Sequence, residues 1–592
     1  MPQEDFTERV YKGVAASPGI AQGQAFVFLE KELEIPLYHV TADESEREIL
    51  RFEQALIKTR EQIAKVRTEV AQKLGEEEAQ IFDAHLLVLE DRALVDETIR
   101  SHKESLYNID YCFQAVVKRY IEAFDKIDDE YIKERATDIR DVAKRVLENL
   151  LGETRLNLVQ ISQQKIIVSS DLKPSDTGSL KKGEVLGFVT DTGSRTSHAV
   201  IMARSLRIPA VVGLINITSV VKTDDFLLID GYEGLVFVNP TEETKTKYAQ
   251  FQKERDQIQA IYDSCKMLPS QTLDGEKHAV MLNIDGSEDA EDLMELSSDG
   301  VGLFRTESLF MVKDRFPSEE TQYIYYKKIV QAFSPKPVVI RTLDLGGDKK
   351  QGSLFYTTEQ NPFLGFRAIR FCLEHKALFK DQLRAILRAS AHGDVRIMYP
   401  MISGLEELIE ANTLLAETKR ELDEKKIPYS NNIKIGVMIE VPSIMMIIDH
   451  LKDHCSFISV GTNDLIQYIL AVDRLNEKVA FMYNPGHPAV LRTLDHIIQS
   501  CHQHGLEINV CGEMAGDILY APLLLGMGVH NLSLNPGAYT EIKYLMRSVT
   551  SVELKALVRE VLENKSSVDT AKKLKKFYFE KLHSILAKKK VR

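Results

Sequence analysis

The sequence has few of the features that direct a protein into a membrane or out of the cell. It has no apolar amino-terminal stretch typical of a secretory signal, and no uninterrupted apolar run long enough to cross a bilayer. Its six cysteines are scattered and form no Cys-x-x-Cys pair, which indicates free thiols in a reducing compartment. We therefore expect a cytoplasmic protein without membrane insertion.

The chain also lacks an excess of positive charge. Its net charge is −13 at pH 7, which gives nucleic-acid binding no electrostatic support. Apolar residues make up 44% and charged residues 28% of the sequence, as is typical of a soluble globular protein. With 592 residues, the chain is too long for a single hydrophobic core, so we expect two to four domains.

Proline and glycine are nearly absent from one long segment. No proline occurs between residues 37 and 173, and Gly75 is the only glycine between residues 24 and 151. Apolar residues from Ile49 to Val70 recur at intervals of three, four or seven, which is the spacing of one helix face. The segment therefore predicts a bundle of helices with a break at Gly75.

Strand patterns flank this helical segment on both sides. We interpret residues 1–30 and 154–240 as one α/β domain, interrupted by a helical subdomain at residues 31–153. Residues 241–268 are charged and contain neither glycine nor proline, which predicts a semi-rigid linker helix.

From residue 269 to residue 592, short apolar runs alternate with helical segments. The strand candidates are residues 279–285, 300–305, 337–343, 395–400, 434–440, 457–461, 507–512 and a weaker run at 529–534. Repeated strand–helix units of this number predict a (β/α)8 barrel, also called a TIM barrel. An open doubly wound sheet is the alternative. The predicted fold class is therefore a multidomain α/β protein.

Polar residues concentrate where these strands end, and TIM barrels carry their active sites at that edge. They are Arg305, Arg341, Asp344, Lys349, Glu440, Asn463, Asp464, Arg474 and Cys511. Arginine and lysine bind phosphate and carboxylate groups, Glu440 and Asp464 are hard oxygen ligands suited to Mg²⁺, and a thiol can carry a proton. Each residue alone is more often structural. Their joint occurrence predicts a site for a small, multiply anionic molecule.

A second candidate site lies in the amino-terminal half. His198 follows Arg195, Thr196 and Ser197 and stands immediately before a helical run at residues 199–205. An imidazole at a helix amino terminus, beside hydroxyl groups and a cation, is well placed to hold an anion. A histidine in that setting can carry a phosphoryl group, although a lone histidine is more often structural.

These motifs together resemble enzyme I of the phosphoenolpyruvate:sugar phosphotransferase system. The resemblance covers nearly the whole chain and runs in order through SPGIAQG, GSRTSHAVIMARSLRIPAVVG, GVGLFRTESLFM, RTLDLGGDK, NPFLGFRAIR, SVGTNDLIQY and NVCGEMAGD. It implies that His198 takes a phosphoryl group from phosphoenolpyruvate, releases pyruvate, and passes the group to the phosphocarrier protein HPr. It also implies a swivelling phosphohistidine domain at the amino terminus and a homodimer formed through the barrel.

The resemblance implies a role for each site residue. Glu440 and Asp464 would hold Mg²⁺, Cys511 would protonate the enolate carbon, and Thr177 would pair with the ring of His198. The substrate-binding residues would be Arg305, Arg341, Lys349, Arg367, Asn463 and Arg474. The residues on or beside the HPr-docking face would be Glu76, Glu77, Glu78, Ile81, Phe82, His85 and Leu86.

Two other functions are compatible with parts of this pattern. A dikinase or phosphoenolpyruvate synthase would share both halves, but the sequence contains neither a P-loop nor room for an ATP-binding domain ahead of the histidine segment. A regulatory phosphorelay component, with little role in sugar transport, would use the same histidine. The motif GVAASPG stands close to residue 1, so we expect no added amino-terminal sensory domain. In either case the linker helix is the expected hinge for rigid-body movement.

Overall fold

The computed structural model describes residues 8–28, 33–73, 76–124, 130–152, 164–172, 185–193, 200, 203, 208–286, 290–311, 316–346, 361–474, 476 and 478–581. The chain divides into two compact units, Met1–Lys253 and Glu254–Arg592. None of the helices in these ranges is both long enough and apolar enough to span a membrane. Three predicted site residues, Thr177, His198 and Lys349, lie outside the described residues.

An eight-stranded sheet forms the α/β part of the first unit. Its strands are β1 (Arg9–Lys12), β2 (Val14–Ser17), β3 (Ile20–Phe28), β4 (Lys165–Ser169), β5 (Val185–Thr190), β6 (Ala210–Val212), β7 (Phe226–Asp230) and β8 (Leu235–Val238). Their order across the sheet is β1-β8-β7-β3-β4-β5-β6-β2. Strands β3 and β4 pair in parallel, although the whole helical segment separates them in sequence. The helical segment is therefore inserted between two neighbouring strands of one sheet.

The inserted segment forms a helical bundle. Its helices are α1 (Ser45–Lys73), α2 (Glu76–Leu89), α3 (Arg92–Ser105), α4 (Ile109–Phe124) and α5 (Glu130–Leu151). The predicted break occurs where expected, because α1 ends at Lys73 and α2 begins at Glu76. Phe52 and Phe113 are buried at the centre, with ring centroids 5.2 Å apart.

A short helix, α6 (Ile217–Val220), and the linker helix, α7 (Glu242–Ser264), follow. The division between the two units falls inside α7, at Lys253. The beginning of α7 packs on the first unit, where the Tyr248 ring lies 5.2 Å from that of Phe237. Its end belongs to the second unit, where the Tyr262 hydroxyl donates to Glu541 Oε1 at 3.1 Å.

Eight parallel strands close into a barrel in the second unit. They are β9 (Ala279–Ile284), β10 (Val301–Phe304), β11 (Val338–Arg341), β12 (Val395–Tyr399), β13 (Lys434–Ile439), β14 (Phe457–Val460), β15 (Glu507–Val510) and β16 (Asn531–Leu534). The weak eighth strand completes the closure, since β16 pairs with β9 and places Leu534 opposite Leu282. The barrel prediction is confirmed, and the open sheet is wrong for this chain.

Helices surround this barrel and cover its apolar strands. They are α8 (Ala290–Glu295), α9 (Glu307–Met311), α10 (Glu319–Phe333), α11 (Ile369–Glu374), α12 (Lys376–Ala389), α13 (Leu405–Glu424), α14 (Ile448–Leu451), α15 (Thr462–Leu470), α16 (Pro488–Gln503), α17 (Ala521–Met527), α18 (Tyr539–Met546), α19 (Ser551–Leu562) and α20 (Ser567–Lys581). Strand residues such as Phe304, Val338, Ile397 and Val437 are fully buried in the core between these layers. The polar residues that follow the strands therefore lie together at the carboxyl edge of the barrel.

Candidate active site

A line of alternating acidic and basic side chains crosses the carboxyl edge of the barrel. Its members, in order of contact, are Glu307, Arg341, Asp344, Arg367, Asp464 and Arg474. Arg341 pairs with Glu307 and places Nη1 3.2 Å from Asp344 Oδ2. Arg367 Nη2 donates to Asp344 Oδ1 at 2.9 Å and to Asp464 Oδ2 at 3.2 Å. Buried charges of opposite sign hold one another in place here, before any ligand arrives.

Within the described part of the chain, three atoms in this line are buried without a hydrogen-bond partner. They are Arg341 Nε, Arg367 Nη1 and Asp464 Oδ1. The nearest ion-pair contact of Asp464 Oδ1 is with Arg474 Nη2, at 3.7 Å. A buried polar atom without a partner costs free energy, so native proteins rarely keep one without reason. The two guanidinium atoms fit an anionic oxygen, and the carboxylate oxygen fits a cation.

The acidic side chains of the site also repel one another. Glu440 directly follows β13 and is buried, and its Oε1 accepts from the Met401 backbone N–H at 2.7 Å. Burial, and then the charges of Asp464 and Asp344, raise the pKa of Glu440 to about 8. A bound cation would relieve this repulsion, so the oxygen donors of Glu440 and Asp464 suit a divalent metal ion.

A cation between these carboxylates would not be enclosed by the protein alone. Within the described ranges, no three or more His, Cys, Asp or Glu side chains are arranged as a metal site. Mg²⁺ characteristically uses one or two carboxylates and completes its shell with water and substrate oxygens. The donor set at this edge therefore fits Mg²⁺ bound together with an anionic substrate.

Cys511 directly follows β15 and is buried at the same edge. Its backbone carbonyl accepts from Asn283 Nδ2 at 2.8 Å, and its thiol donates to the Val460 carbonyl at 3.6 Å. Burial raises the pKa of the thiol above its usual value, although a hydrogen bond with Ser459 and the charge of Arg341 oppose the effect. The thiol therefore holds its proton at neutral pH and can donate it.

Three other predicted substrate-binding residues follow strands β10 and β14: Arg305 directly after β10, Asn463 at the start of α15, and Arg474 after α15. Arg305 directly follows β10, and its backbone N–H donates to the Ile284 carbonyl at 2.8 Å. Asn463 lies in the first turn of α15 and exchanges two hydrogen bonds with Glu513, at 3.1 and 3.0 Å. The backbone N–H of Arg474 donates to Gln467 Oε1 at 3.3 Å. The structure thus places Arg305 at the end of its strand, and Asn463 and Arg474 at the two ends of the helix that follows β14.

The predicted docking residues lie on α2 in the helical bundle. The backbone of this helix includes Glu76, Glu77, Glu78 and Ile81, whose side chains are outside the described part of the structure. Phe82 and His85 are buried, and Leu86 is half-buried. His85 Nε2 lies 3.3 Å from Asp138 Oδ1, inside the bundle. Phe82 and His85 therefore face the interior of the helical bundle and do not project from the outer face of α2.

Sequence reasoning did not select Glu307, and it gave Asp344 no function. Both acids pair with Arg341 and are buried. Glu307 begins α9, two residues after Arg305. Its position just after a strand and close to a candidate arginine was the feature of the sequence that could have identified it. Asp344 was recognised at the end of its strand, but its pairing with Arg367 depends on a contact that spacing does not reveal.

The fold and this site define a barrel enzyme that binds a small, multiply charged anion. Three segments match families of enzymes that use phosphoenolpyruvate (PEP). Residues 259–551 match "PEP-utilising enzyme, PEP-binding domain", residues 12–135 match "PEP-utilising enzyme, N-terminal", and residues 161–234 match "PEP-utilising enzyme, mobile domain".

Similarity to individual proteins extends over nearly the full chain. The chain is 42% identical over 567 residues to the phosphoenolpyruvate-protein phosphotransferase of Listeria monocytogenes, covering 96% of this chain and 99% of the relative. It is 40% identical over 572 residues to the protein of the same name from Haemophilus influenzae, with coverage of 96% and 99%. The chain therefore belongs to the phosphoenolpyruvate-protein phosphotransferase family.

A solved structure also resembles part of the chain. The solution NMR structure of an Enzyme I protein shares 43% sequence identity, covers 42% of this chain and 99% of its own, and has a TM-score of 0.37. Membership in the family confirms the resemblance that the sequence motifs carried. It also confirms the prediction of an enzyme that transfers phosphoryl groups.

Proposed function

We propose that the chain transfers a phosphoryl group from phosphoenolpyruvate to His198 and from there to HPr, as the first step of sugar uptake by the phosphotransferase system. One observation carries the proposal. Among the residues that the structure describes, Arg341 Nε and Arg367 Nη1 are buried at the carboxyl edge of the barrel without a hydrogen-bond partner. Both residues lie in the segment that matches the PEP-binding family. Phosphoenolpyruvate, with a phosphate and a carboxylate, offers the anionic oxygens that these atoms lack.

The substrate-binding set would carry permanent positive charge. Burial alone would lower the pKa values of Arg341 and Arg367, but their acidic partners raise both above the usual range. Because the acids hold the guanidinium groups before substrate binds, little reorganisation is needed during reaction. The full set in this proposal is Arg305, Arg341, Lys349, Arg367, Asn463 and Arg474.

Glu440 and Asp464 would hold Mg²⁺ in this site. When bound, the ion would offset negative charge on the phosphate and enol oxygens of the substrate. The raised pKa of Glu440 supports this assignment, and so does Asp464 Oδ1, which accepts no hydrogen bond among the described residues.

The proposed reaction balances as follows. A ring nitrogen of His198 attacks phosphorus, an N–P bond forms, and the bond from phosphorus to the enol oxygen breaks with its electron pair remaining on that oxygen. Cys511 gives its thiol proton to the methylene carbon of the enolate, which yields pyruvate, and the thiolate takes a proton from solvent. Thr177 would hold the second ring nitrogen of His198. The phosphoryl group then passes to a histidine of the carrier.

This chemistry assigns a task to each domain. Residues 1–30 and 154–240 would form the phosphohistidine domain, residues 31–153 would dock HPr, and residues 241–268 would be the hinge. Residues 269–592 would bind phosphoenolpyruvate and form the homodimer. The nucleophile and the substrate-binding residues belong to different units, so we infer rigid-body movement about α7.

The docking proposal rests on the charge at the start of α2. Glu76, Glu77 and Glu78 are consecutive acids in its first turn, and acidic residues favour approach of a basic carrier surface. Ile81 and Leu86 would contribute apolar contacts on or beside this face. Phe82 and His85, being buried, would hold the helix in place.

Replacing Cys511 by alanine is expected to slow pyruvate formation by about 10²- to 10⁴-fold, because the enolate loses its proton donor. Cys501→Ala is the matched control, since it also removes a buried thiol but lies in α16, away from the strand ends. Steady-state pyruvate release measures both variants. Because the pKa of Cys511 is raised, activity should not fall through thiol ionisation near pH 8.5, where an ordinary thiol loses its proton. Equal rates for the two variants would exclude Cys511 as the donor.

Replacing Asp464 by asparagine is expected to weaken Mg²⁺ binding about tenfold or more, because one of two proposed carboxylate ligands is lost. Titration calorimetry with Mg²⁺ alone, and the Mg²⁺ dependence of pyruvate release, would measure the change. Asp449→Asn removes an exposed carboxylate and should leave both curves unaltered. An Asp464→Asn variant with native Mg²⁺ dependence would contradict the assignment.

A further inference from the structure

A buried amide on a helix outside the barrel reaches two of the strand ends that carry the site. Gln382 lies on α12 and is fully buried. Its Oε1 accepts from the Leu343 backbone N–H at 2.9 Å. Its Nε2 donates to Thr306 Oγ1 and to the Tyr326 hydroxyl, both at 3.2 Å. Both donor hydrogens and the acceptor oxygen of the amide are thus engaged, and none is directed at the substrate site.

The two loops that this amide joins hold the charged residues of the site. Thr306 stands between Arg305 and Glu307 after β10. Leu343 precedes Asp344 and follows β11, which ends at Arg341. The Thr306 hydroxyl in turn donates to the Arg341 carbonyl at 3.0 Å. Gln382, Thr306 and the Arg341 backbone therefore form one continuous chain of hydrogen bonds.

The strand ladder alone does not fix the relative position of these loops. Strands β10 and β11 pair with a register shift between Val301 and Phe304, and their pairing ends at Phe304 opposite Ile340. Arg305 and Thr306 continue past the last paired position. Beyond that position, the hydrogen bonds of Gln382 connect the two loops instead of the strand pairing.

We infer that Gln382 is a positioning residue for phosphoryl transfer: it holds the ends of β10 and β11 so that Arg305 and Arg341 meet the same anionic group. This inference rests on the proposed function. A polar side chain is costly in a core unless its hydrogen bonds are made, and a fully bonded one fixes a single geometry. An apolar residue of equal size would fill the space but leave the two loops free to shift.

Gln382→Met tests the inference, since it keeps the length of the side chain and removes all three hydrogen bonds. A displacement of about 1 Å in a catalytic contact costs on the order of 10²-fold in rate. We therefore expect KM for phosphoenolpyruvate to rise and kcat/KM for phosphorylation of the protein to fall by about 10- to 100-fold. The assay is run well below the unfolding temperature of each variant. A purely structural role would reduce the folded fraction, and hence the apparent kcat, with KM unchanged.

Two further variants keep the test decisive. Thr306→Val preserves the shape of the side chain but removes the hydroxyl that links Gln382 to Arg341, so it should raise KM by a similar factor. This variant therefore still tests the inference if Gln382→Met does not fold. Tyr326→Phe removes the bond on the far side of the amide and the bond from the Tyr326 hydroxyl to Gln322 Oε1, but it keeps the link through Thr306. It should lower Tm while leaving KM near the native value.

Native KM in both Gln382→Met and Thr306→Val, or an equal KM change in Tyr326→Phe, would overturn the inference. Failure of the proposed function is recognised separately, because the native protein itself would then not become phosphorylated by phosphoenolpyruvate.

Discussion

Replacement of His198 by alanine is expected to abolish phosphoryl transfer, both to the protein and onward to HPr. The His198 imidazole is the one side chain of this protein that bonds to phosphorus in the proposed reaction, and the alanine methyl group offers no nucleophile in its place. Loss of a nucleophile in other enzymes lowers kcat by on the order of 10⁶-fold. The measurement is pyruvate release from phosphoenolpyruvate with purified HPr as acceptor.

The matched control is another histidine outside the proposed machinery. His450 lies on α14 with an exposed ring, and His450→Ala should retain the native rate. Sustained pyruvate release by His198→Ala, at a rate above the background without protein, would show that a different group accepts the phosphoryl group. Binding of phosphoenolpyruvate to His198→Ala should persist, because the proposed substrate-binding residues belong to the barrel.

Replacement of Arg341 by alanine is expected to reduce both the rate and the stability. Removing one preorganised contact to developing charge costs about 10²- to 10³-fold in kcat. The same change leaves Glu307 and Asp344 without one of their cationic partners in a buried site. Breaking a buried ion pair from one side costs about 3–5 kcal/mol in the free energy of unfolding. Kinetics and thermal unfolding measured on the same sample separate the two losses.

Two variants distinguish catalysis from folding at this position. Arg341→Lys keeps a positive charge but not the fork of donors, so stability should recover more than kcat. Arg396→Ala removes an arginine near the amino end of β12, where Arg396 Nη1 lies 3.1 Å from Glu507 Oε1. It should lower Tm without changing kcat of the folded enzyme. Native kcat in Arg341→Ala would remove this residue from the proposed site.

Most strands and helices of this fold follow from local pattern. The absence of proline and glycine predicted the bundle, and the break at Gly75 falls between Lys73 and Glu76 as expected. The eighth barrel strand was weak in sequence because Asn531 and Ser533 interrupt its apolar run. Ser533 is nevertheless buried, since its hydroxyl donates to Asn283 Oδ1 at 2.6 Å. A buried polar residue that bonds to the neighbouring strand cannot be distinguished from a loop residue by hydropathy alone.

Part of the candidate site could be predicted because the carboxyl ends of parallel strands meet at one edge of the barrel. That rule alone gathers Arg341, Glu440, Asp464 and Cys511 at one edge of the barrel. It does not reveal pairings such as Glu307 with Arg341, nor the three bonds of Gln382, because these depend on contacts between residues distant in sequence. The sequence likewise did not show which face of α2 packs against the bundle, so it did not predict that Phe82 and His85 are buried.

The most direct test of the central claim is the chemical identity of the phosphorylated residue. The native protein is incubated with radiolabelled phosphoenolpyruvate and Mg²⁺, and the labelled peptide is mapped. We predict a label that is labile in acid and stable in base, as for a phosphorus–nitrogen bond, and that maps to His198. An acid-stable label on a serine or threonine, or no label at all, would contradict the account.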